Sequence, residues 1–191
     1  MVAPVRRFLA GFSLAEMLVV VVVVGVLAVA ALPSGAPNEL HKLGVVADEV
    51  TGLLRLAISE TRIRPQSYIL VDGKTQPGVL RLYVSDSQAQ MPPTPLTSEL
   101  IDPFTKRSAV ANPAARAMSQ GVLITPQFMA SGQPWGQLLI GPTANPFTAF
   151  DGAGAGNSKG SLEAGSGVLL TLGAHSILVS FNHLTGLVTR P

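Results

Sequence analysis

The strongest pattern along the chain is an apolar block near its N-terminus. Residues 18–32 are Leu, Val, Ala and Gly only. The whole stretch from Phe12 to Leu32 is 21 residues long. At about 1.5 Å per residue, a helix over this stretch is about 31 Å long, close to one hydrocarbon core. Arg6 and Arg7 precede the block, so the positive-inside rule keeps the N-terminus in the cytoplasm. The pattern predicts a single membrane-spanning helix with an exported C-terminal part.

A second helix is predicted between Asn38 and Arg64. Charged residues lie mostly on one side of this segment. Asn38 is expected to cap the helix and Pro65 to end it. The apolar stripe is expected to pack on a sheet. It repeats every three or four residues, at Leu40, Leu43, Ala47, Val50, Leu54, Ala57 and Thr61.

The remaining residues alternate between β-rich runs and turn residues, and the chain's 19 Gly and 15 Pro favour turn-rich β structure. Residues 85–120 and 141–167 are rich in Pro or Gly and are predicted to be surface loops. The first loop is expected to hold a short helix near residues 113–119. The predicted strands cover residues 68–71, 79–84, 122–125, 137–140, 168–172, 176–181 and 187–189.

One charge, Glu16, lies at the edge of the otherwise apolar stretch from Phe12 to Leu32. A charge in the middle of a membrane costs roughly 3 kcal/mol, so such residues generally have a partner and a function. The segment Gly11-Phe12-Ser13-Leu14-Ala15-Glu16 resembles the type III signal sequence of type IV prepilins and type II secretion pseudopilins. The resemblance implies cleavage between Gly11 and Phe12 by prepilin peptidase and methylation of the new N-terminus. It also implies that Glu16 pairs with the N-terminal amine of a neighbouring subunit.

Two further features carry the resemblance. Counted from Phe12, Pro33 occupies the position where pilins usually have a proline, and a helix kink is implied there. Residues 50–60 and 181–189 are similar to segments of H-type pseudopilins and related minor pilins. The implied fold class is α+β, in which a long N-terminal helix, membrane-spanning and then amphipathic, packs on an antiparallel β-sheet or a two-sheet head.

The implied organisation has four parts: a cytoplasmic leader at 1–11, a transmembrane or filament-core helix at 12–33, an amphipathic helix at 34–65 and a β-rich exported head at 66–191. The implied function is that of a structural, minor filament subunit. Its partners would be prepilin peptidase, other pilin or pseudopilin subunits, the inner-membrane assembly platform and, before assembly, membrane lipid. The protein would be single-pass in the cytoplasmic membrane, and then part of a periplasmic or cell-surface filament.

The N-terminal pattern leaves three alternatives open. Glu16 can serve only to complement the dipole of a helix N-terminus. The apolar block can be an uncut signal anchor. It can also be an ordinary secretory signal, because Ala28-Val29-Ala30 fits the small-residue cleavage pattern. In that case the protein would be an exported enzyme or binding protein.

Charge gives little support for nucleic-acid binding. Removing Arg6 and Arg7 with the leader lowers the basic count from 13 to 11, equal to the 11 acidic residues. An exported part near neutrality has no bulk attraction for DNA. A DNA-binding minor pilin of an uptake system remains the alternative function. Its candidate contacts are Lys106 and Arg107, with Phe104 beside them, and Lys159 and Arg190.

No enzymatic chemistry is predicted. The chain has no cysteine, which excludes disulfides, thiolate metal sites and a Cys nucleophile. His41, His175 and His183 lack metal-ligand spacing. The Gly-rich residues 152–160 lack the Lys-Ser/Thr ending of a phosphate loop. We therefore expect no catalytic residue, no metal and no cofactor.

Overall fold

The computed structural model describes residues 14–31, 38–85, 98–142, 146–152 and 157–190. The chain divides into two compact units, Met1–Ala36 and Pro37–Pro191. The described part of the first unit is one helix, α1 (Leu14–Ala31). The described part of the second unit holds helix α2 (Glu39–Ile63), twelve strands and a 3-10 turn at Pro113–Ala115.

The predicted fold class is wrong in its helical part. Instead of one long N-terminal helix, membrane-spanning and then amphipathic, the described residues form two separate helices of 18 and 25 residues and two antiparallel sheets. Pro33 and Pro37 lack the backbone N–H that a continuing helix needs, and proline disfavours the helical conformation of the residue before it. The sequence around these two prolines therefore favours two helices over one continuous helix.

No helix within the described ranges is long and apolar enough to cross a membrane. Glu16 lies in the first turn of α1. The predicted leader, residues 1–11, lies outside the described residues.

Helix α2 forms where the apolar spacing predicts it. At its start, Oδ1 of Asn38 accepts a hydrogen bond from the backbone N–H of Leu40 at 3.2 Å. At its end, the backbone N–H of Arg64 donates to the carbonyl of Glu60 at 2.8 Å. The predicted apolar stripe is buried from Leu43 to Ala57, whereas Leu40 is exposed. The predicted cap is confirmed.

The first sheet has seven antiparallel strands. They are β1 (Tyr68–Asp72), β2 (Leu80–Ser85), β3 (Ser98–Glu99), β4 (Val110–Ala111), β7 (Gln137–Ile140), β8 (Phe147–Phe150) and β9 (Ser158–Ser161). Their order is β3-β2-β1-β7-β8-β9, and β4 also pairs with β2. In β2, Leu80, Leu82 and Val84 share the buried face, because alternate strand residues point the same way.

The second sheet has five antiparallel strands. They are β5 (Leu123–Ala130), β6 (Gln133–Trp135), β10 (Gly167–Leu172), β11 (His175–Phe181) and β12 (Val188–Thr189). Their order is β12-β11-β10-β5-β6. A two-residue turn joins β5 to β6, with φ of 51° at Ser131 and 71° at Gly132. Positive φ at both residues is the type I′ arrangement that matches strand twist.

The core lies between α2 and the two sheets. Helix α2 contacts β1, β2, β4 and β7 of the first sheet and β10, β11 and β12 of the second. Strand β5 of the second sheet also contacts β7, β8 and β9 of the first. Leu43, Val50 and Leu54 of the helix are buried in the same cluster as Ile69 of β1 and Val179 of β11. The prediction that the apolar stripe packs on a sheet is confirmed, and the stripe serves both sheets.

The seven predicted strands correspond to β1, β2, β5, β7, β10, β11 and β12, and the prediction for residues 137–140 matches β7 residue for residue. The two predicted loops are wrong in part. Residues 85–120 contain β3 and β4, and residues 141–167 contain β8 and β9. These strands are only two to four residues long, so pairing with β2, β7 and β8 decides them rather than local sequence. The short helix expected near 113–119 is a three-residue 3-10 turn.

Candidate assembly and binding surfaces

Helix α1 exposes apolar side chains on all sides. Every residue from Met17 to Val24 is at least half exposed, Leu27 is 61% exposed, and Leu14 is 84% exposed. Successive helical residues point about 100° apart, so a run of eight covers the whole circumference. A helix that remains in water keeps a polar face, and one that is apolar all round is covered by other molecules or by protein. The surface of α1 is therefore a candidate contact surface.

Glu16 is the only ionisable residue between Leu14 and Ala31. It lies in the first turn of α1 and is exposed. A carboxylate at this position is favoured by the partial positive charge of the helix N-terminus. The predicted cleavage pair, Gly11 and Phe12, and the predicted kink at Pro33 lie outside the described residues.

Lys106 and Arg107 lie in a tight turn between β3 and β4. Oδ1 of Asp102 accepts hydrogen bonds from the backbone N–H groups of Phe104, at 2.8 Å, and Thr105, at 3.3 Å. These hydrogen bonds lower the pKa of Asp102, and the bond from Phe104 has the largest effect. Lys106 has a positive φ of 57°. The turn holds the ring of Phe104 in solvent, with 91% of the residue exposed.

The other two candidate DNA contacts lie elsewhere in the fold. Nζ of Lys159, on β9, lies 3.9 Å from Asp151 and 4.8 Å from the ring centre of Trp135. Arg190 follows β12 and pairs with Asp48 at 3.0 Å. The structure thus places the four predicted contacts on three separate segments, and two of them are already paired with acids.

Two adjoining cavities run along the outer side of α2. The larger, about 1100 Å³, lies between the helix and residues 102–110. The smaller, about 440 Å³, lies between the helix and residues 185–188. Both are lined by Arg55 and Ser59. We refer to the two cavities together as the α2 groove; it extends from Asp48 to Arg62, which is about 21 Å along the helix.

The acidic residues of α2 at the groove have partners within the fold. Oε2 of Glu49 lies 3.1 Å from Nη1 of Arg116, although it makes no hydrogen bond among the described residues. Burial raises the pKa of Glu49, and the charge of Arg116 offsets only part of this effect. Asp48 is the partner of Arg190. The charge of Asp48 is therefore neutralised by Arg190, and burial disfavours the ionised form of Glu49.

Three arginines of the groove have no acidic partner among the described residues. Nη2 of Arg55 donates to the backbone carbonyl of Val188 at 3.3 Å. Arg62 lines the smaller cavity and Arg107 lines the larger one. Arg55, Arg62 and Arg107 are all exposed. Asp102 also lines the larger cavity, but three arginines outnumber this one acid, so the described part of the groove carries a net positive charge.

A buried carboxylate that the sequence analysis did not single out lies at the end of β1. Asp72 is 4% exposed. Its Oδ1 accepts hydrogen bonds from the backbone N–H of Lys74 at 2.9 Å and of Thr75 at 3.2 Å, and from Nε2 of Gln137 at 2.9 Å. Burial raises the pKa of Asp72, but the hydrogen bonds outweigh burial and the net pKa is lowered. Asp-Gly directly after a strand is the sequence signal that indicates such a turn.

In the part of the chain that the structure describes, no cluster of three or more His, Asp or Glu side chains is arranged to hold a metal ion. Two surfaces therefore stand out, the apolar surface of α1 and the α2 groove. Comparison with protein-family models, with curated proteins and with solved structures found no match for this chain.

Proposed function

We propose that the protein is a structural, minor subunit of a type IV pilus or of a type II secretion pseudopilus, assembled through α1. The observation that carries the proposal is the surface of α1, where every residue from Met17 to Val24 is apolar and at least half exposed. In a filament, copies of this helix would cover one another. Relative to exposure in water, burying one Val or Leu side chain contributes about 1.5–3 kcal/mol, so a bundle of such helices is strongly favoured over helices in water.

Glu16 supplies the positional specificity that an apolar surface lacks. A carboxylate buried among apolar helices needs a cation, because an unpaired buried charge is strongly unfavourable. Cleavage after Gly11 would create an amine on Phe12, four residues before Glu16. The amine of one subunit would pair with Glu16 of the next and set the stagger between them. This role follows from the prepilin-like motif together with the position of Glu16 at the start of α1.

The proposal also implies where the protein acts and with what. Prepilin peptidase would cut between Gly11 and Phe12, and the assembly platform of the cytoplasmic membrane would incorporate the product. The head would be exported, in the periplasm or at the cell surface. Its partners in the filament would be other pilin or pseudopilin subunits.

The N-terminus of the mature chain tests the proposal. Mass spectrometry of protein purified from its own cells should find a chain that begins at N-methylated Phe12. A mature chain that begins at Ala31 would indicate an ordinary secretory signal. An intact chain that begins at Met1 would indicate an uncut anchor. Either of these two results overturns the proposal.

The role of Glu16 has its own test. Glu16→Ala should leave cleavage after Gly11 unchanged and sharply reduce incorporation into filaments, measured by immunoblotting of sheared filament fractions. Glu39→Ala is the matched control, because it removes an exposed carboxylate from the first turn of α2. That variant should be cleaved and incorporated normally. Normal incorporation of Glu16→Ala would show that Glu16 does not set the stagger between subunits.

The alternative of a DNA-binding minor pilin receives less support. Two of its four candidate contacts, Lys159 and Arg190, lie beside Asp151 and Asp48. DNA binding by the purified protein, measured over a salt series, separates the two functions. We expect negligible affinity at every salt concentration. An affinity that falls steeply as salt rises would favour the DNA-binding function.

A further inference from the structure

We propose that the α2 groove binds an acidic and partly apolar segment of a partner protein that is not a second copy of this chain. The shape of the groove favours an elongated ligand. Its two cavities together span about 21 Å of the helix, which is the length of about six extended residues. The helix side of the groove includes Gly52, where a Cβ atom would meet nothing within 4 Å. A peptide backbone can therefore approach the helix closely.

The charge of the groove selects an acidic ligand. Arg55, Arg62 and Arg107 line the groove, and none of them has an acidic partner among the described residues. Arginine presents a planar array of donors that matches a carboxylate in two-point geometry. Aspartate or glutamate side chains on the bound segment would form ion pairs with these three arginines.

The same groove offers apolar contacts. Phe104 lines the larger cavity and is 91% exposed. Leu56 of α2 lines it as well and is partly buried. Aromatic and aliphatic side chains beside arginine are typical of binding hot spots, because they exclude water from the charged contacts. We therefore expect leucine or aromatic residues next to the acidic residues of the ligand.

The described acids of the head favour a different protein over a second copy as the ligand, because each of them already contacts a basic side chain or a backbone N–H of its own chain. Glu49, Glu60, Glu99, Asp48 and Asp151 form ion pairs. Asp72, Asp102 and Glu163 accept backbone N–H groups. Glu39 lies 3.8 Å from Nε2 of His175.

A peptide selection tests the proposal. The full chain, held in mild detergent to cover α1, is the target for a displayed library of random 12-residue peptides. Affinities of the recovered peptides are measured by fluorescence polarisation. We expect sequences enriched in Asp and Glu with Leu, Phe or Trp between them. Recovery of no peptide, or of peptides without acidic enrichment, overturns the proposal.

Variants locate the binding site. Arg107→Glu and Arg62→Glu should each weaken binding of the recovered peptides by about tenfold or more, because each places a like charge against the ligand. Lys42→Glu makes the same charge change on α2 outside the groove and should leave binding unchanged. Equal binding by all three variants contradicts the proposal.

A variant that blocks the groove sterically gives a second, independent test. Gly52→Trp should block the larger cavity and abolish binding, while Gly52→Ala should bind as the wild type does. The circular dichroism spectrum and the urea midpoint of each variant establish that it is folded. Duplex DNA that displaces the peptides, or self-association of the chain that Arg107→Glu abolishes, would assign the groove to another ligand and overturn the proposal.

Discussion

Phe147 of β8 and Phe181 of β11 meet edge to face, with their ring centres 5.0 Å apart and their planes at 82°. The two residues belong to different sheets, and both are buried. Edge-to-face pairs of this kind contribute about 0.5–1.5 kcal/mol beyond the burial of their area. The contact therefore joins the two sheets directly.

Removal of either ring should destabilise the head strongly. We expect Phe147→Ala and Phe181→Ala each to lower the free energy of unfolding by about 3–5 kcal/mol. The double variant should lose about 1 kcal/mol less than the sum, because the pair interaction is lost only once. Urea unfolding followed by the fluorescence of Trp135, the single tryptophan, measures these values. Phe104→Ala is the control and should change stability by less than about 0.5 kcal/mol.

Gly186 is predicted to be intolerant of any side chain. Its φ is 71°, and a Cβ atom there would lie 2.6 Å from Cζ of Phe147. Gly165 has a φ of 85° and nothing within 4 Å. Both Gly→Ala variants should carry the backbone penalty of about 1–2 kcal/mol. Only Gly186→Ala should lose a further 1–3 kcal/mol or so from overpacking. Equal urea midpoints for the two variants would show that the contact with Phe147 does not matter.

Asp72 should make stability depend on pH in the acid range. Its folded-state pKa is lowered, so the ionised carboxylate stabilises the fold above its unfolded pKa of about 4. That stabilisation is lost as pH falls through the folded-state pKa. Asp72→Asn should therefore be less stable than the wild type at pH 7, with a difference that shrinks below about pH 4. Urea unfolding over a pH series measures it, and a difference that grows toward low pH would contradict the assignment.

Glu49 should act with the opposite sign. Its pKa is raised by burial, so the folded state binds the proton more tightly than the unfolded state. The associated stability is complete below the unfolded pKa and is lost as pH rises through the folded pKa. Glu49→Gln should consequently raise the urea midpoint at pH 7 and leave it unchanged in acid. A lower midpoint at pH 7 would mean that the ion pair with Arg116 outweighs the burial of the carboxylate.

Helix α2 could be predicted because its signals are local. The three- and four-residue spacing from Leu43 to Ala57, the cap at Asn38 and the stop at Pro65 all lie within one segment. Strand β7 was equally clear, since Gln137–Ile140 is a short β-rich run between Gly136 and Gly141. The mistaken expectation of one long N-terminal helix came from joining two helical patterns across Pro33 and Pro37.

The remaining features depend on residues that are distant in sequence. Strand β8 begins directly after Pro146 and forms because β7 and β9 pair with it. Two of the hydrogen bonds to Asp72 are local, but the third comes from Gln137, which is 65 positions away. The α2 groove likewise needs Phe104 and Leu187 to be placed beside the helix. Periodicity and turn signals along one segment contain no information about these pairings.

The contact between Arg55 and the carbonyl of Val188, 133 positions apart, has a consequence for biosynthesis. Helix α2 is translated early, yet its neighbours β10, β11 and β12 are among the last strands to be made. The part of its apolar stripe that packs on the second sheet therefore stays uncovered during most of translation. Such a chain cannot complete its core as it emerges from the ribosome. A chaperone or the translocation machinery would have to shield the stripe until residues 167–189 are available.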